Sequence, residues 1–368
     1  MFTLVCTVAR TVGRAWAGAA LMMLGLAACS SIGPGTVSRD RVDYIDATAE
    51  SWKKQMLLNI VRTRYGDAAT FFDVSSVISS YTLQGNLSVA GETGPDIGNR
   101  FINPSVGATY IDRPTISYTP LSGDKFTRSL LTPLSPSAIF ELIQAGYAAD
   151  FVLRVTVRAL NGIYNRSSIG VRKPREADPE FYPLLASLGR LQASGAVSLR
   201  LEKHGAEQTA TLILSNIRTE ETKRDLAYVL KTLNLEPEKN NQFTIIFGAL
   251  PRNRGELAVL SRSMSEILLE LAAGIDVPND HVTRGWTVPS RRLLDAADPN
   301  DRPFVRIYSG PAAPADTFVA VRYRDTSYWI DYGDMVSKSI FTFLMTFFSL
   351  SETGVTPQAP VLTIPASS

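Results

Sequence analysis

The chain has 368 residues, with 37 Lys and Arg against 35 Asp and Glu, a formal net charge of +2, and two cysteines. A charge so close to zero supplies no general electrostatic attraction to nucleic acids or anionic lipid headgroups, so we expect no nucleic-acid partner. The cysteine count excludes a disulfide framework and a cysteine-rich zinc site. The length is sufficient for a hydrophobic core and for two domains.

Residues 1–28 have the organisation of a secretory signal peptide. Arg10 and Arg14 precede an apolar run of 14 residues, Ala15–Ala28, whereas a membrane span takes about 20 residues at helical rise. The junction reads Leu26, Ala27, Ala28 and Cys29. This order resembles the lipobox of bacterial lipoproteins, in which the cysteine is acylated and becomes the first residue after cleavage. An ordinary signal peptide with a chance cysteine and an uncleaved anchor are the alternatives.

The lipobox resemblance implies that Cys29 carries fatty acid such as palmitate and that residues 29–45 are the lipidated cysteine with a flexible tether. Without Arg10 and Arg14 the mature chain has 35 basic and 35 acidic residues, so lipid rather than charge would hold it at a membrane. Ser30 follows the cysteine, and serine there accompanies outer-membrane sorting in Gram-negative lipoproteins. We therefore expect a protein of the bacterial cell envelope, lipid-anchored at the outer membrane and facing the periplasm.

Residues 46–165 are predicted to form a first α+β domain that begins with a helix. Apolar residues recur every three or four positions over Thr48–Tyr65, which indicates one apolar face. Asp46 or Thr48 can cap this helix, and Gly66 can end it.

A long β-hairpin is predicted over residues 81–118. Apolar and polar residues alternate over Tyr81–Val89 and again over Val106–Tyr110, on either side of a loop at Gly91–Pro104. Pro114 marks an edge or a break before the second strand continues. One interpretation is an ordinary antiparallel sheet with one face on a core. The other is membrane insertion in an oligomer, because spanning strands have about 9–11 residues.

The rest of this domain is predicted to contain a helix over Ser135–Ala145, which its first residue caps and Pro136 starts. Residues Phe151–Leu160 alternate as in a strand, and Asn161-Gly162 is a turn. The polar segment 166–180 is predicted to be a linker between domains.

Residues 181–350 are predicted to form a second α+β domain. Its expected elements are helices over Phe181–Ala193 and Thr219–Leu233, a helix capped by Ser261 and followed by Gly274, a hairpin of Val197–Glu202 with Thr209–Leu214, and strands over Gln242–Gly248, Phe304–Ser309, Phe318–Tyr323 and Tyr328–Ile330. Antiparallel hairpins and short strands layered with amphipathic helices are typical of the α+β class. The Pro-containing segment Asp276–Pro303 is expected to be a long loop that covers or binds something.

A nearly all-apolar helix is predicted over Asp334–Leu350. Its polar stripe consists of Ser339, Thr342, Thr346 and Ser349. A helix that is apolar nearly all round is buried, and the apolar run Ile340–Leu350 is too short to span a membrane. We therefore predict a central buried helix, the alternative being a surface helix that meets a partner or the bilayer. Residues 351–368 are predicted to be an extended, Pro-containing tail.

No motif in the sequence indicates a catalytic, metal or cofactor site. His204 is expected in a solvated tight turn. His281 could act as a base with Asp276 or Asp280, but no nucleophile accompanies it. An acidic cluster contains Asp295, Asp298 and Asp301. Because it lacks the spacing and the glycine of a calcium loop, it is expected to be an exposed turn.

Beyond the lipobox, the chain resembles uncharacterised proteobacterial lipoproteins. The likeness lies in Ser51–Arg62, Lys338–Leu350 and Pro360–Pro365, and it implies no activity. We expect a non-enzymatic, membrane-anchored subunit that interacts or assembles with envelope proteins. One alternative is an oligomeric outer-membrane pore or secretion subunit that inserts the 81–118 hairpin. Another is a periplasmic glycan or peptide hydrolase with its acids around Asp276–Pro303.

Overall fold

The computed structural model describes residues 37–78, 81–93, 100–112, 115–121, 124–168, 175–204, 207–236, 241–290 and 303–351. The lipobox with Cys29 and the predicted tail from residue 352 onward lie outside these ranges. The described residues form two compact units. The first unit contains residues up to Trp52 together with Phe72–Pro120, and the second contains Lys53–Phe71 and the chain from Leu121 onward. The predicted domain limits at 46–165 and 181–350 do not follow this division.

The first helix, α1, covers Val37–Arg64 and is longer than the predicted Thr48–Tyr65. The predicted flexible tether at 29–45 is therefore wrong from Val37 onward, and neither Asp46 nor Thr48 acts as a cap. The physical reason is that residues 37–47 contain neither Gly nor Pro, so nothing in them interrupts a helix.

Four strands follow, and all of their residues except Phe71 and Leu121 lie in the first unit. They are β1 Phe71–Ile78, β2 Tyr81–Thr93, β3 Arg100–Asp112 and β4 Thr115–Leu121. Strand β1 pairs with β4, and β2 pairs with β3 in a separate two-stranded sheet. The predicted hairpin is confirmed over residues 81–93 and 100–112. Its predicted continuation past Pro114 to Tyr118 is wrong, because that stretch belongs to the separate strand β4, which pairs with β1. The predicted loop at Gly91–Pro104 is too long at both ends, because pairing continues as far as Thr93 and Arg100. Its middle, residues 94–99, lies outside the described residues.

The second unit contains helices and two larger sheets. Its helices are α2 Asp124–Leu131, α3 Pro136–Gln144, α4 Ala149–Thr156, α5 Phe181–Ala193, α6 Glu220–Thr232, α7 Met264–Ala273, α8 Asn279–Thr283 and α9 Met335–Ser351. Its strands are β5 Val157–Leu160, β6 Ile163–Tyr164, β7 Val197–His204, β8 Glu207–Leu214, β9 Gln242–Phe247, β10 Glu256–Ser261, β11 Tyr308–Gly310, β12 Thr317–Tyr323 and β13 Thr326–Asp331.

The larger sheet has the order β6-β5-β10-β9-β8-β7, in which only the β9 and β10 neighbours run parallel. A second sheet has the order β11-β13-β12 and is antiparallel. Helices α3 and α5 contact strands of the larger sheet. Mixed, mainly antiparallel sheets packed with helices confirm the predicted α+β class.

The strand predicted over Phe151–Leu160 is wrong in its first part, which is helix α4. Val152, Leu153, Val155 and Thr156 are all buried, and this spacing fits a helix face rather than one side of a strand. The prediction considered only the alternation of every second residue and therefore missed this helical spacing. The turn at Asn161-Gly162 is confirmed, since both residues have positive φ angles of 44° and 84°.

Two further sequence predictions need correction. Strand β10 was not predicted, and the cap of α7 is Ser263 rather than Ser261, because Ser263 accepts from the Glu266 backbone in a capping box. The segment 166–180 does not separate the two compact units. Strand β5, before it, pairs with β10, after it, so both sides belong to one sheet.

Helix α9 is central in the second unit, as predicted. Phe341, Phe343, Leu344, Phe347 and Phe348 are buried, whereas the predicted stripe of Ser339, Thr342 and Thr346 is exposed. The rings of α9 pack on residues from three other parts of this unit. Their partners are Phe71, Tyr147, Phe151 and Phe318.

An ion pair joins α5 to α6 and predicts a pH dependence of stability. Arg190 donates through Nε and Nη2 to the two carboxylate oxygens of Asp225, at 2.9 and 2.5 Å. These hydrogen bonds hold the pKa of Asp225 below its usual value. A lowered carboxyl pKa stabilises the fold above the unfolded value near 3.9, and the contribution is lost as the pH falls through the folded value.

We therefore expect Asp225→Asn to lower the free energy of unfolding by about 1 kcal/mol at pH 7, since half of the Arg190 side chain is exposed and screening weakens the pair. Urea melts at pH 7 and pH 3 should show the difference from wild type shrinking at pH 3. The control is Glu220→Gln, which removes an exposed partner of Lys223 on the same helix. A penalty of equal size at both pH values would contradict the ionic contribution.

Candidate functional site

The first candidate site is the pair β2–β3, which we call the long hairpin. All 13 residues of β2 stand opposite residues of β3, from Tyr81 with Asp112 to Thr93 with Arg100. Residues that stand directly opposite in an antiparallel pair lie on the same face. The register therefore decides which side chains share a face, and a shift of one residue would mix apolar with polar positions.

One face of the long hairpin is apolar over five successive pairs. These are Leu83 with Tyr110, Gly85 with Ala108, Leu87 with Val106, Val89 with Pro104, and Gly91 with Ile102. Four steps of two residues at about 3.4 Å per residue give this face a length of about 27 Å. The sequence predicted the alternation on each strand, and the structure adds that apolar positions of one strand match apolar positions of the other.

The opposite face of the long hairpin is polar. Its pairs include Gln84 with Thr109, Asn86 with Gly107, and Ser88 with Ser105. The exposed residues of this face are Gln84, Asn86, Ser88, Gly107 and Thr109. By register, Ile111, Phe101 and Glu92 belong to this face as well. The long hairpin thus has a mainly polar face and an apolar face on the same two strands.

The second candidate site surrounds His281 in the second unit. The imidazole is 1% exposed, with Nδ1 2.6 Å from the Tyr65 hydroxyl and Nε2 3.3 Å from Asp325 Oδ1. A carboxylate only accepts hydrogen bonds, so Nε2 carries the proton and Nδ1 accepts from Tyr65. The Tyr65 oxygen lies 2.5 Å from that of Tyr328 and accepts its hydrogen. Donation therefore runs from Tyr328 through Tyr65 and His281 to Asp325.

The protonation states agree with this direction of donation. Burial raises the pKa of the Tyr65 and Tyr328 hydroxyls, so both phenols keep their hydrogen. The pKa of Asp325 is lowered, first by its own backbone N–H and then by the His281 side chain. Because both nitrogens of His281 are engaged, the imidazole has no lone pair available for a water molecule. The arrangement therefore suits a structural role better than that of a general base.

The same cluster holds the end of α1 to two other segments. Arg64 Nη2 donates to the Val288 carbonyl at 3.0 Å, and the Thr287 hydroxyl donates to the Arg64 carbonyl at 2.8 Å. Tyr323 donates its hydroxyl to Asp67. These hydrogen bonds join the end of α1 to the segment after α8 and to the β12–β13 hairpin.

The partners of His281 differ from those expected. Asp280 Oδ2 lies 4.0 Å from Nε2 and is half exposed, whereas Asp276 uses its backbone N–H on the Ile307 carbonyl. The closest partners, Tyr65 and Tyr328, had no signal in the sequence, because they lie on distant segments of the chain. His204 is the last residue of β7 and pairs with Glu207. Asp295, Asp298 and Asp301 lie outside the described residues, as do Leu26, Ala27, Ala28 and Cys29.

Over the ranges described above, no three His, Cys, Asp or Glu side chains group as metal ligands. None of the helices in those ranges combines the length and apolarity needed to cross a membrane. Comparison with known proteins gives no match to a family model, a curated protein or a solved structure.

Proposed function

We propose that this protein is a non-enzymatic subunit of the bacterial cell envelope that assembles through the long hairpin. It would be anchored by acylated Cys29 at the outer membrane, facing the periplasm. The observation that carries the assembly role is the register of β2 on β3, which gathers the apolar residues of both strands on one face. A two-stranded sheet is marginally stable in water without a further strand or a packed surface. Binding of a partner to the long hairpin would therefore stabilise it.

Introducing negative charge on one face at a time tests the assembly role. Leu87 and Val106 stand opposite each other on the apolar face, and Ser88 and Ser105 stand opposite each other on the polar face. The full chain is extracted in mild detergent, and the size of its complexes is measured on native gels. We expect Leu87→Asp with Val106→Asp to reduce the complexes to monomer, because two carboxylates cannot be buried unpaired.

The matched control is Ser88→Asp with Ser105→Asp, which adds the same charges at the neighbouring level of the same strands. This variant should keep the wild-type complexes. A monomeric wild-type protein, or complexes that survive the apolar-face double variant unchanged, would overturn the assembly role.

The lipid anchor has its own test. We expect the wild-type protein to incorporate labelled palmitate and to fractionate with the outer membrane, and Cys29→Ala to lose both the label and the membrane association. Net charge cannot replace the lipid, because the mature chain would be neutral. Ser30→Asp is the control, since it keeps the acylated cysteine and should shift the labelled protein to the inner membrane. An unlabelled wild-type protein would refute the anchor.

A second candidate function is an outer-membrane pore or secretion subunit that inserts the long hairpin. The length of the apolar face favours it, because about 27 Å is close to the apolar band of about 25 Å on strand-built outer-membrane proteins. Purified full-length protein should then release dye from lipid vesicles, and the Leu87→Asp, Val106→Asp variant should not. Oligomers that form without dye release would exclude the pore and leave the assembly role standing.

A further inference from the structure

The long hairpin has two outer edges, one on β2 and one on β3, along which no further strand of the described residues is paired. Within the described part of the chain, β2 pairs with β3 and neither strand has a second neighbour. Each strand has 13 residues, so each outer edge is about 44 Å long. Along such an edge the outward backbone N–H and C=O groups form a template for another strand.

The composition of these edges lacks the usual protection against pairing. Residues 81–91 of β2 and residues 101–111 of β3 include no charged side chain. Natural proteins blunt exposed edges with charges, especially lysine, with very short strands or with proline. Within these ranges only Pro104, the fifth residue of β3, is a residue of this kind, and it lacks one backbone N–H donor. Eleven successive residues without charge on each strand, about 37 Å of edge, indicate that another strand covers these edges.

A second copy of this chain covers both edges at once. Strands β2 and β3 run antiparallel, so β3 of a neighbour placed on β2 continues the antiparallel order. The apolar faces of the two copies then lie on the same side. Each copy has one edge of each kind, so head-to-tail pairing repeats from copy to copy, and it gives a closed ring where the rotation between copies closes. A single strand from another protein would cover one edge and leave the other open.

We propose that copies of this protein assemble edge to edge, with the outer edge of β2 in one copy paired to the outer edge of β3 in the next. This inference rests on the proposed assembly function and identifies the partner. It also restricts the register, because the five apolar pairs have odd numbers in β2 and even numbers in β3. Polar Asn86 of one copy must therefore stand level with odd-numbered positions of β3 in the next copy.

Cysteine pairing between two differently tagged full-length chains tests this register. One chain carries Asn86→Cys, and the other carries a single cysteine at residue 101, 103, 105, 107, 109 or 111, or at 102, 104, 106, 108 or 110 as the opposite-face control. Both are produced in the same cells and oxidised with copper phenanthroline. We expect disulfides between the two tags to be at least about tenfold more abundant at the best odd position than at its even neighbours.

Chains without an introduced cysteine measure any background from Cys29, and native gels confirm that each cysteine variant keeps the wild-type complexes. No disulfide between the tags at any odd position would overturn the proposal, as would equal yields at odd and even positions. A predominant Asn86→Cys homodimer would also overturn it, since that product requires β2 to pair with β2.

The disulfide experiment and the measurement of complex size test self-pairing and the assembly role separately. Complexes that depend on the apolar face but give no disulfide between copies would refute self-pairing and keep the assembly role, with a different protein as partner. Monomers without disulfides would refute both.

Discussion

Replacing Phe341 with alanine is expected to lower the free energy of unfolding by about 3–5 kcal/mol, the range for removing a buried phenylalanine ring. The side chain is 0% exposed on α9 and meets the Phe318 ring edge-on, with 6.0 Å between centroids. Few neighbours can collapse into the space, because the surrounding rings of α9 are themselves packed on fixed elements. The measurement is the urea midpoint of the full-length protein, followed by circular dichroism.

The control for this prediction is Thr342→Ala, which changes the next residue on the exposed stripe. It should change the free energy of unfolding by less than about 0.5 kcal/mol. Equal and small effects of the two substitutions would show that α9 is not the buried centre of its unit and would support the alternative of a surface helix.

The C-terminal helix and the long hairpin were predictable from the sequence because each depends on a local period. Apolar residues around most of α9 and strict alternation in β2 need no knowledge of the remaining fold. The same reasoning failed for α4, where Leu153, Val155 and Val157 also alternate. In that segment Val152 and Thr156 are buried as well. They lie four residues apart, on one face of a helix, whereas the prediction considered only every second residue.

Register and long-range partners were beyond the reach of local patterns. Alternation shows that Leu87 is on an apolar face, but only pairing shows that Val106 stands opposite it. In the same way, Asp280 is next to His281 in the chain, whereas Tyr65 and Asp325 approach its ring nitrogens from separate elements. Proximity in sequence therefore indicated the more distant of the two carboxylates near Nε2, because loop and strand packing decides which groups reach a buried side chain.

The candidate sites also differ in what they require of other molecules. The cluster around His281 satisfies its hydrogen bonds from within one unit, with Tyr328 fully buried as its first donor. The long hairpin has two strands and no third within the described ranges. Since a two-stranded sheet gains stability by adding strands, the hairpin is the element for which a partner makes the larger difference.

Replacing His281 with alanine is expected to lower the free energy of unfolding by about 2–4 kcal/mol. The change removes a buried ring that contacts Trp286 at a centroid distance of 4.9 Å and deprives the Tyr65 hydroxyl of its acceptor. His281→Asn should recover part of the loss, because its amide oxygen can accept near the position of Nδ1. Urea melts of both variants measure the difference.

Two carboxylate variants then separate a structural cluster from a catalytic one. Asp325→Asn weakens the acceptor of Nε2 and should cost up to about 1 kcal/mol, since its side chain is largely exposed. Asp280→Asn should cost less than about 0.5 kcal/mol. If His281→Ala were as stable as wild type, the imidazole would have no structural role. That outcome would support the hydrolase hypothesis, in which His281 acts as a base. A large loss of stability, partly restored by asparagine, instead assigns His281 to holding α1 against the β12–β13 hairpin.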